Sequence, residues 1–211
     1  MKRILIVLAL LCLPHAALAQ CDPLPDMDLS IAMFRDTAYH EYPLSLMMVP
    51  DGSGDLFEEA RRPDGTMVNG QIEVWLLDGM AFGHEGMPPA YVRLDAPAVG
   101  LKFCPEGNIA GQATDPDGYT YFSAPLYGGG WSQDGLIVRV CNTPLSMPAL
   151  PLWVNSPDID GDLEVTLSDV QLFAEDFYSA TYQYRSDLAY DGVINLSDVA
   201  RLALHIGAGC N

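Results

Sequence analysis

Residues 158–170 recur at 187–199 without a gap. Laid over one another, Asp158-Ile-Asp160-Gly-Asp162-Leu-Glu164-Val-Thr166-Leu-Ser168-Asp169-Val170 and Asp187-Leu-Ala189-Tyr-Asp191-Gly-Val193-Ile-Asn195-Leu-Ser197-Asp198-Val199 share six of thirteen residues at a constant offset of 29. Such a chain must fold its C-terminal segment as two copies of one supersecondary unit. Carboxylates at the first, third, fifth and twelfth places of a loop suit calcium, a hard cation that takes about 6 to 8 oxygen ligands. In the first copy these are Asp158, Asp160, Asp162 and Asp169. Glu164, at the seventh place, supplies a backbone carbonyl, and Thr166, at the ninth, acts directly or through water. The second copy offers Asp187, Asp191 and Asp198, with the carbonyl of Val193. Ca2+ is therefore the expected cofactor of both loops.

Each loop departs from the ideal in its own way. The sixth place normally needs Gly for a sharp turn, but the first copy has Leu163 there and its nearest glycine is Gly161. The second copy keeps Gly192 and loses a side-chain ligand at Ala189. The first loop is expected to bind by charge despite backbone strain, and the second more weakly or with water completing its shell. A short helix should follow each loop. Val170, Phe173, Ala174 and Phe177, then Val199, Leu202, Ala203 and Ile206, fall at helical spacing and give each helix one apolar stripe. Thr166 with Asp169 and Asn195 with Asp198 have capping-box spacing, and Gly207 is a C-terminal stop. The two stripes are expected to pack together.

A duplicated calcium loop followed by one helix, with no clear entering helix, resembles the type I dockerin of bacterial secreted proteins. The resemblance covers residues 158–208. It implies a cohesin-like or envelope protein partner, and it places the chain among proteins often associated with polysaccharide and its degradation.

Residues 20–143 have a different texture. Leu29, Ile31 and Met33; Leu44, Leu46 and Met48; Ile72, Val74 and Leu76; Tyr91 and Leu94; Tyr119 and Tyr121; and Leu136, Val138 and Val140 mark strands, most by period-two alternation. Turn clusters separate them, among them Pro63-Asp64-Gly65, Asn69-Gly70 and Asp115-Pro116-Asp117-Gly118. The expected fold is mainly β with a small α domain: an immunoglobulin-like antiparallel sandwich of about seven strands, followed by the dockerin-like unit. Residues 113–122, Ala-Thr-Asp-Pro-Asp-Gly-Tyr-Thr-Tyr-Phe, resemble the turn and aromatic strand of bacterial immunoglobulin-like repeats of the invasin and intimin kind, which implies a spacer or adhesion module. Residues 144–157, with Pro148 and Pro151, are expected to form a stiff connector.

At the N-terminus, Lys2 and Arg3, the apolar run from Ile4 to Leu13 and Ala17-Leu18-Ala19 form a secretory signal, assigned to residues 1–19. The chain is therefore expected to be exported, to the extracellular space or the cell surface. Removing that segment leaves 28 acids against 8 bases, a charge of −20, and four cysteines, Cys21, Cys104, Cys141 and Cys210. So acidic a protein repels phosphate backbones, which excludes nucleic-acid binding. No later segment is apolar enough to span a bilayer. An even cysteine count in an oxidising compartment favours disulfides, and Cys104 with Cys141 is the expected first pair, since both end strand-like runs.

Signals for catalysis are weak. His84-Glu85 lacks the second histidine of a zinc-protease helix, and His40-Glu41 and His205 are isolated. Trp75, Trp131 and Trp153 with Tyr127 are candidates for a sugar-stacking platform. The expectation is a noncatalytic calcium-binding protein displayed through its tail, with a small carbohydrate-active enzyme or carbohydrate-binding module as the alternative.

Overall fold

The computed structural model describes residues 21, 23–36, 42–179 and 181–210. The expected export signal and His40-Glu41 lie outside these. The described residues form twelve short strands: β1 (Ile31–Phe34), β2 (Leu44–Met47), β3 (Ala60–Arg61), β4 (Met67–Val68), β5 (Ile72–Trp75), β6 (Val92–Asp95), β7 (Leu101–Phe103), β8 (Tyr119–Phe122), β9 (Gly128–Gly130), β10 (Ile137–Val140), β11 (Thr143–Pro144) and β12 (Leu152–Asn155). Two helices follow, α1 (Leu167–Phe177) and α2 (Leu196–Leu204). The protein is mainly β, as the alternating runs predict. No helix among the described residues is long and apolar enough to cross a membrane.

The strands form four small sheets, ordered β1-β5-β8, β11-β10-β6, β12-β2-β3-β4 and β7-β9. All pairings are antiparallel except that of β12 with β2, which is parallel and aligns Leu152 with Leu44 and Asn155 with Met47. Between the sheets lies a core that includes Phe34, Phe57, Phe122, Leu46, Ile72, Leu94, Leu136 and Val154. Burying each such side chain contributes about 1.5–3 kcal/mol. Every run named as a strand contains one, yet the phase of β1 is reversed from expectation. Ala32 and Phe34 face the core while Ile31 and Met33 face outward, because pairing with β5 sets Ala32 opposite the buried Val74.

Two parts of the expected connector, Pro144 and Leu152–Asn155, belong to the sheets. Pro144 sits in β11, at the edge of its sheet, where a missing N–H costs no ladder bond. Leu152 and Val154 of β12 are fully buried beside β2. Strand β12 therefore enters the C-terminal unit directly from the β core. A second cluster joins Met47 and Val49, from and after β2, to Ile159, Val165, Phe173, Leu188 and Leu202. Phe173 of α1 and Leu202 of α2 thus share one cluster with residues of the β core. Val199 and Ile206 remain substantially exposed.

The disulfides join Cys21 to Cys141 and Cys104 to Cys210. This corrects the expected Cys104–Cys141 bridge. Cys104 follows β7 and Cys141 follows β10, and these strands belong to different sheets. Ending a strand places a cysteine at a sheet edge but does not choose its neighbour. Here the neighbours are the two ends of the described chain, at Cα separations of 6.0 Å for Cys21–Cys141 and 5.7 Å for Cys104–Cys210.

Candidate metal centre

The first loop starts where β12 ends. Ser156 Oγ accepts the amide N–H of Asp158 at 3.1 Å and lies 3.4 Å from the carbonyl of Gly128 in β9. This fixes Asp158 as the fully buried origin of the loop. Its Oδ1 accepts the amides of Gly161 (2.9 Å) and Asp162 (3.1 Å), and its Oδ2 that of Leu163 (2.8 Å). The chain winds around one carboxylate. Asp160 and Asp162 each accept an amide two residues ahead through Oδ1 only. Asp158, Asp160 and Asp162 each present a carboxylate oxygen within 4.8 Å of the other two.

Asp169 has another task. Its Oδ1 accepts the amides of Ile159 (2.7 Å) and Asp160 (3.2 Å), and its Oδ2 that of Thr166 (2.8 Å). It closes the loop onto the first turn of α1, completing a capping box with Thr166, whose hydroxyl accepts the Ser168 amide. Glu164 faces Gly209 in an isolated antiparallel bridge. The bonds of that bridge run from Cys210 to the carbonyl of Leu163 and from Val165 to the carbonyl of Ala208. Among the described residues no protein donor reaches the Glu164 carbonyl, which leaves it available at the seventh place.

Burial, together with the adjacent Asp169 charge, pushes the Asp158 carboxyl up to about 6 against the pull of its three amides. Acidic oxygens gathered in a partly dry place with no positive side chain among them are unfavourable when ionised. A divalent cation reverses that. The donor set, all oxygen and mostly carboxylate, fits calcium.

Strand β9 of the β core builds one wall of this site. Strand β9 is Gly128-Gly129-Gly130, and the Gly130 amide donates to the Asp158 carbonyl at 2.7 Å. A Cβ on Gly129 would lie 1.6 Å from Asp158 Oδ2. These residues carry no chemistry that singles them out in the sequence. The only available signal was a run of three glycines in a strand-rich region, which marks a close backbone approach.

The second loop repeats the backbone. Asp187 and Asp198 are fully buried. Asp187 Oδ1 accepts the Asp191 amide (3.1 Å) and its Oδ2 the Gly192 amide (2.9 Å), while Asp198 accepts those of Ala189 and Asn195, both at 2.8 Å. Asn195 caps α2 through Ser197, as Thr166 caps α1 through Ser168. Burial pushes the carboxyls of Asp187 and Asp198 upward. In both loops the fourth and sixth residues are left-handed: Gly161 (φ 68°) and Leu163 (φ 78°) in the first, Tyr190 (φ 51°) and Gly192 (φ 85°) in the second. Each copy places its one glycine at a different one of the two positions. The difference at the sixth place is therefore one of residue type, not of backbone path.

Around the second loop the tail is bonded to the β core. Tyr184 Oη lies 2.8 Å from Ser45 Oγ, Asn155 Nδ2 donates to the Asp187 carbonyl at 2.8 Å, and Tyr190 Oη donates to the Pro43 carbonyl at 3.2 Å. Trp153 meets the rings of Tyr184 and Tyr190 edge-on. Arg201 of α2 pairs with the buried Asp55, and Arg185 forks onto Asp176 at 2.7 and 2.8 Å.

The four aromatics expected to form one platform do not do so. Trp153 belongs to this interface, whereas Trp75 lies on the outer face of the β1-β5-β8 sheet, 5.4 Å from Tyr119. His205 Nδ1 lies 3.1 Å from Ser53 Oγ, but that hydroxyl donates to Asp51 at 2.6 Å. The order Asp–Ser–His points the serine proton at the carboxylate rather than at the imidazole, the reverse of a nucleophile–base pair. Comparison with family models, with curated proteins and with solved structures finds no match, so the geometry of the two loops carries the functional reading.

Proposed function

We propose that this is an exported, noncatalytic calcium-binding protein whose dockerin-like tail presents an immunoglobulin-like β module to a protein partner of the cohesin or envelope kind. The observation that carries this reading is the convergence of Asp158, Asp160 and Asp162 oxygens within 4.8 Å around a buried loop origin. Asp169 and the Glu164 carbonyl complete the set that would hold the ion. Bound calcium would neutralise these oxygens and fix the loop against β9, and with it the start of α1. The partner is supported by the exposed side chains on the tail. Leu167 and Leu196 occupy the same place in the two copies and are 78% and 76% exposed, with Tyr178 and Leu204 also projecting into solvent. Large apolar groups exposed at matching places in both copies suit a protein contact. Calorimetric titration of the chelator-treated protein tests the first half, with saturable heat expected and its absence at millimolar ion rejecting it. Capture of a partner from the producer's envelope that is lost in chelator tests the second.

One observation favours a second reading, carbohydrate binding. On the outer face of the β1-β5-β8 sheet, Trp75, Tyr119 and Tyr121 form a continuous row, with centroids 5.4 and 6.1 Å apart. Glu73 accepts a hydrogen bond from Tyr119 and lies 3.8 Å from Arg35. Rings flanked by hydrogen-bonding groups suit the faces and edges of a neutral sugar chain. Retardation in polysaccharide gels that Trp75→Ala abolishes would establish this reading, and unretarded migration across a panel of glycans would reject it.

A further inference from the structure

In the second loop, two side chains donate to loop oxygens whose counterparts in the first loop receive no side-chain donor. Asn195, at the ninth place, donates through Nδ2 to Asp191 Oδ2 and to the carbonyl of Val193, both at 3.2 Å. Those two oxygens stand at the fifth and seventh places, where a cation would need them. The amide oxygen of Asn195 is held by the Ser197 amide at 2.8 Å, which aims the NH2 group back into the loop. Tyr182 Oη donates to Asp187 Oδ2 at 2.7 Å, and that oxygen also accepts the Gly192 amide. At the third place Ala189 contributes no side-chain oxygen.

The first loop has none of these substitutes. Thr166 uses its hydroxyl as the helix cap, and among the described residues no donor reaches Oδ2 of Asp160, Oδ2 of Asp162 or the carbonyl of Glu164. The three-carboxylate convergence likewise occurs, among the described residues, only in the first loop.

We propose that the second loop is a metal-free copy of the first, in which the Asn195 amide and the Tyr182 hydroxyl do the work of the ion, so that the protein takes one calcium per chain. This rests on the calcium reading of the first loop. The argument is one of donors and acceptors. A buried loop of oxygens must find positive partners, and a side-chain NH2 bridging a carboxylate and a carbonyl supplies two hydrogen bonds without any ion. The helix behind such a loop is ordered whether or not calcium is present, whereas the helix behind the first loop is ordered most fully with it. The two halves of the tail then answer differently to the ion.

The test is amide hydrogen exchange on the full exported chain, in chelator and in calcium, with the bound ion counted by native mass spectrometry. One ion per chain is expected. The amides of Gly161, Asp162, Leu163 and Glu164 should slow by at least about tenfold in calcium, while those of Ala189, Asp191, Gly192 and Val193 should be slow in both conditions. Two ions bound to the wild type, or second-loop amides that are fast in chelator and slow in calcium, would overturn the proposal. First-loop amides that ignore calcium would instead reject the calcium reading, leaving the second loop to be judged by its protection in chelator. In a Tyr182→Phe, Asn195→Ser variant, which keeps the helix cap, the second-loop amides should exchange about tenfold faster in chelator, the loss expected for two or three hydrogen bonds. Unchanged rates would show that these side chains do not hold the loop.

Discussion

The two loops share a backbone and differ in what surrounds it. The first is set against glycines, with Gly129 so close to Asp158 that no side chain fits between them. The second is set against aromatics, with Trp153, Tyr184 and Tyr190 in mutual edge contact and Tyr182 bonded to Asp187. A duplicated unit thus diverges by its neighbours as well as its ligands. One copy keeps open oxygens beside a bare backbone wall, and the other closes its oxygens and gains packing.

Substitutions can break this contrast. Tyr190→Gly should be the most damaging. It relieves a left-handed tyrosine (φ 51°) but empties a buried aromatic position, for a net loss of about 3–4 kcal/mol in chemical denaturation. Gly129→Ala comes next, since its methyl group would have to displace the Asp158 carboxylate. About 3 kcal/mol should be lost, and calcium affinity should fall with it, which titration of the refolded variant would register.

Acid should act on the first loop through Asp158. Because burial holds the Asp158 carboxyl up to about 6, the metal-free folded state binds more protons than the unfolded chain between its ordinary range and that value. The contribution of this group is therefore fully present at low pH and is lost as pH rises towards 7, by on the order of 2–3 kcal/mol. If the first loop takes calcium as proposed, the ion would bind the ionised form, and affinity measured at pH 5 should be about tenfold weaker than at pH 7. An affinity independent of pH would mean that Asp158 is not a ligand. Smallest is Leu163→Gly, which places glycine at φ 78° and should stabilise the protein by about 0.5–1 kcal/mol in chelator. With Tyr190→Gly it forms a pair of opposite sign at two left-handed positions, one in each loop.

The sequence made legible whatever depends on spacing along the chain. The period-two runs, the duplication, both capping boxes and the buried Phe173 and Leu202 follow from local pattern. What depends on a neighbour distant in sequence was not legible. Ile31 and Ala32 are both apolar, and only pairing with Val74 decides which one faces inward. Trp153 reads as an aromatic in a proline-rich connector until β12 is seen beside β2. Gly129 bears no functional group, so its role exists only in the distance to Asp158. Tyr182 and Asn195 lie outside or at a permissive place in the metal pattern, and the pattern ranks ligands without showing which donors fold back onto them.

The bond from Cys104 to Cys210 has a mechanical consequence. It spans 106 residues, and the whole repeated unit lies inside the covalent loop. If a partner grips the helices and the protein is pulled, tension cannot strip the last turn away from its C-terminal end, because Cys210 passes that force straight to the residue after β7. The remainder travels through β12 along its length against β2, which loads those hydrogen bonds in shear rather than one at a time. A chain arranged in this way transmits tension through its β core and resists being unzipped from its tail.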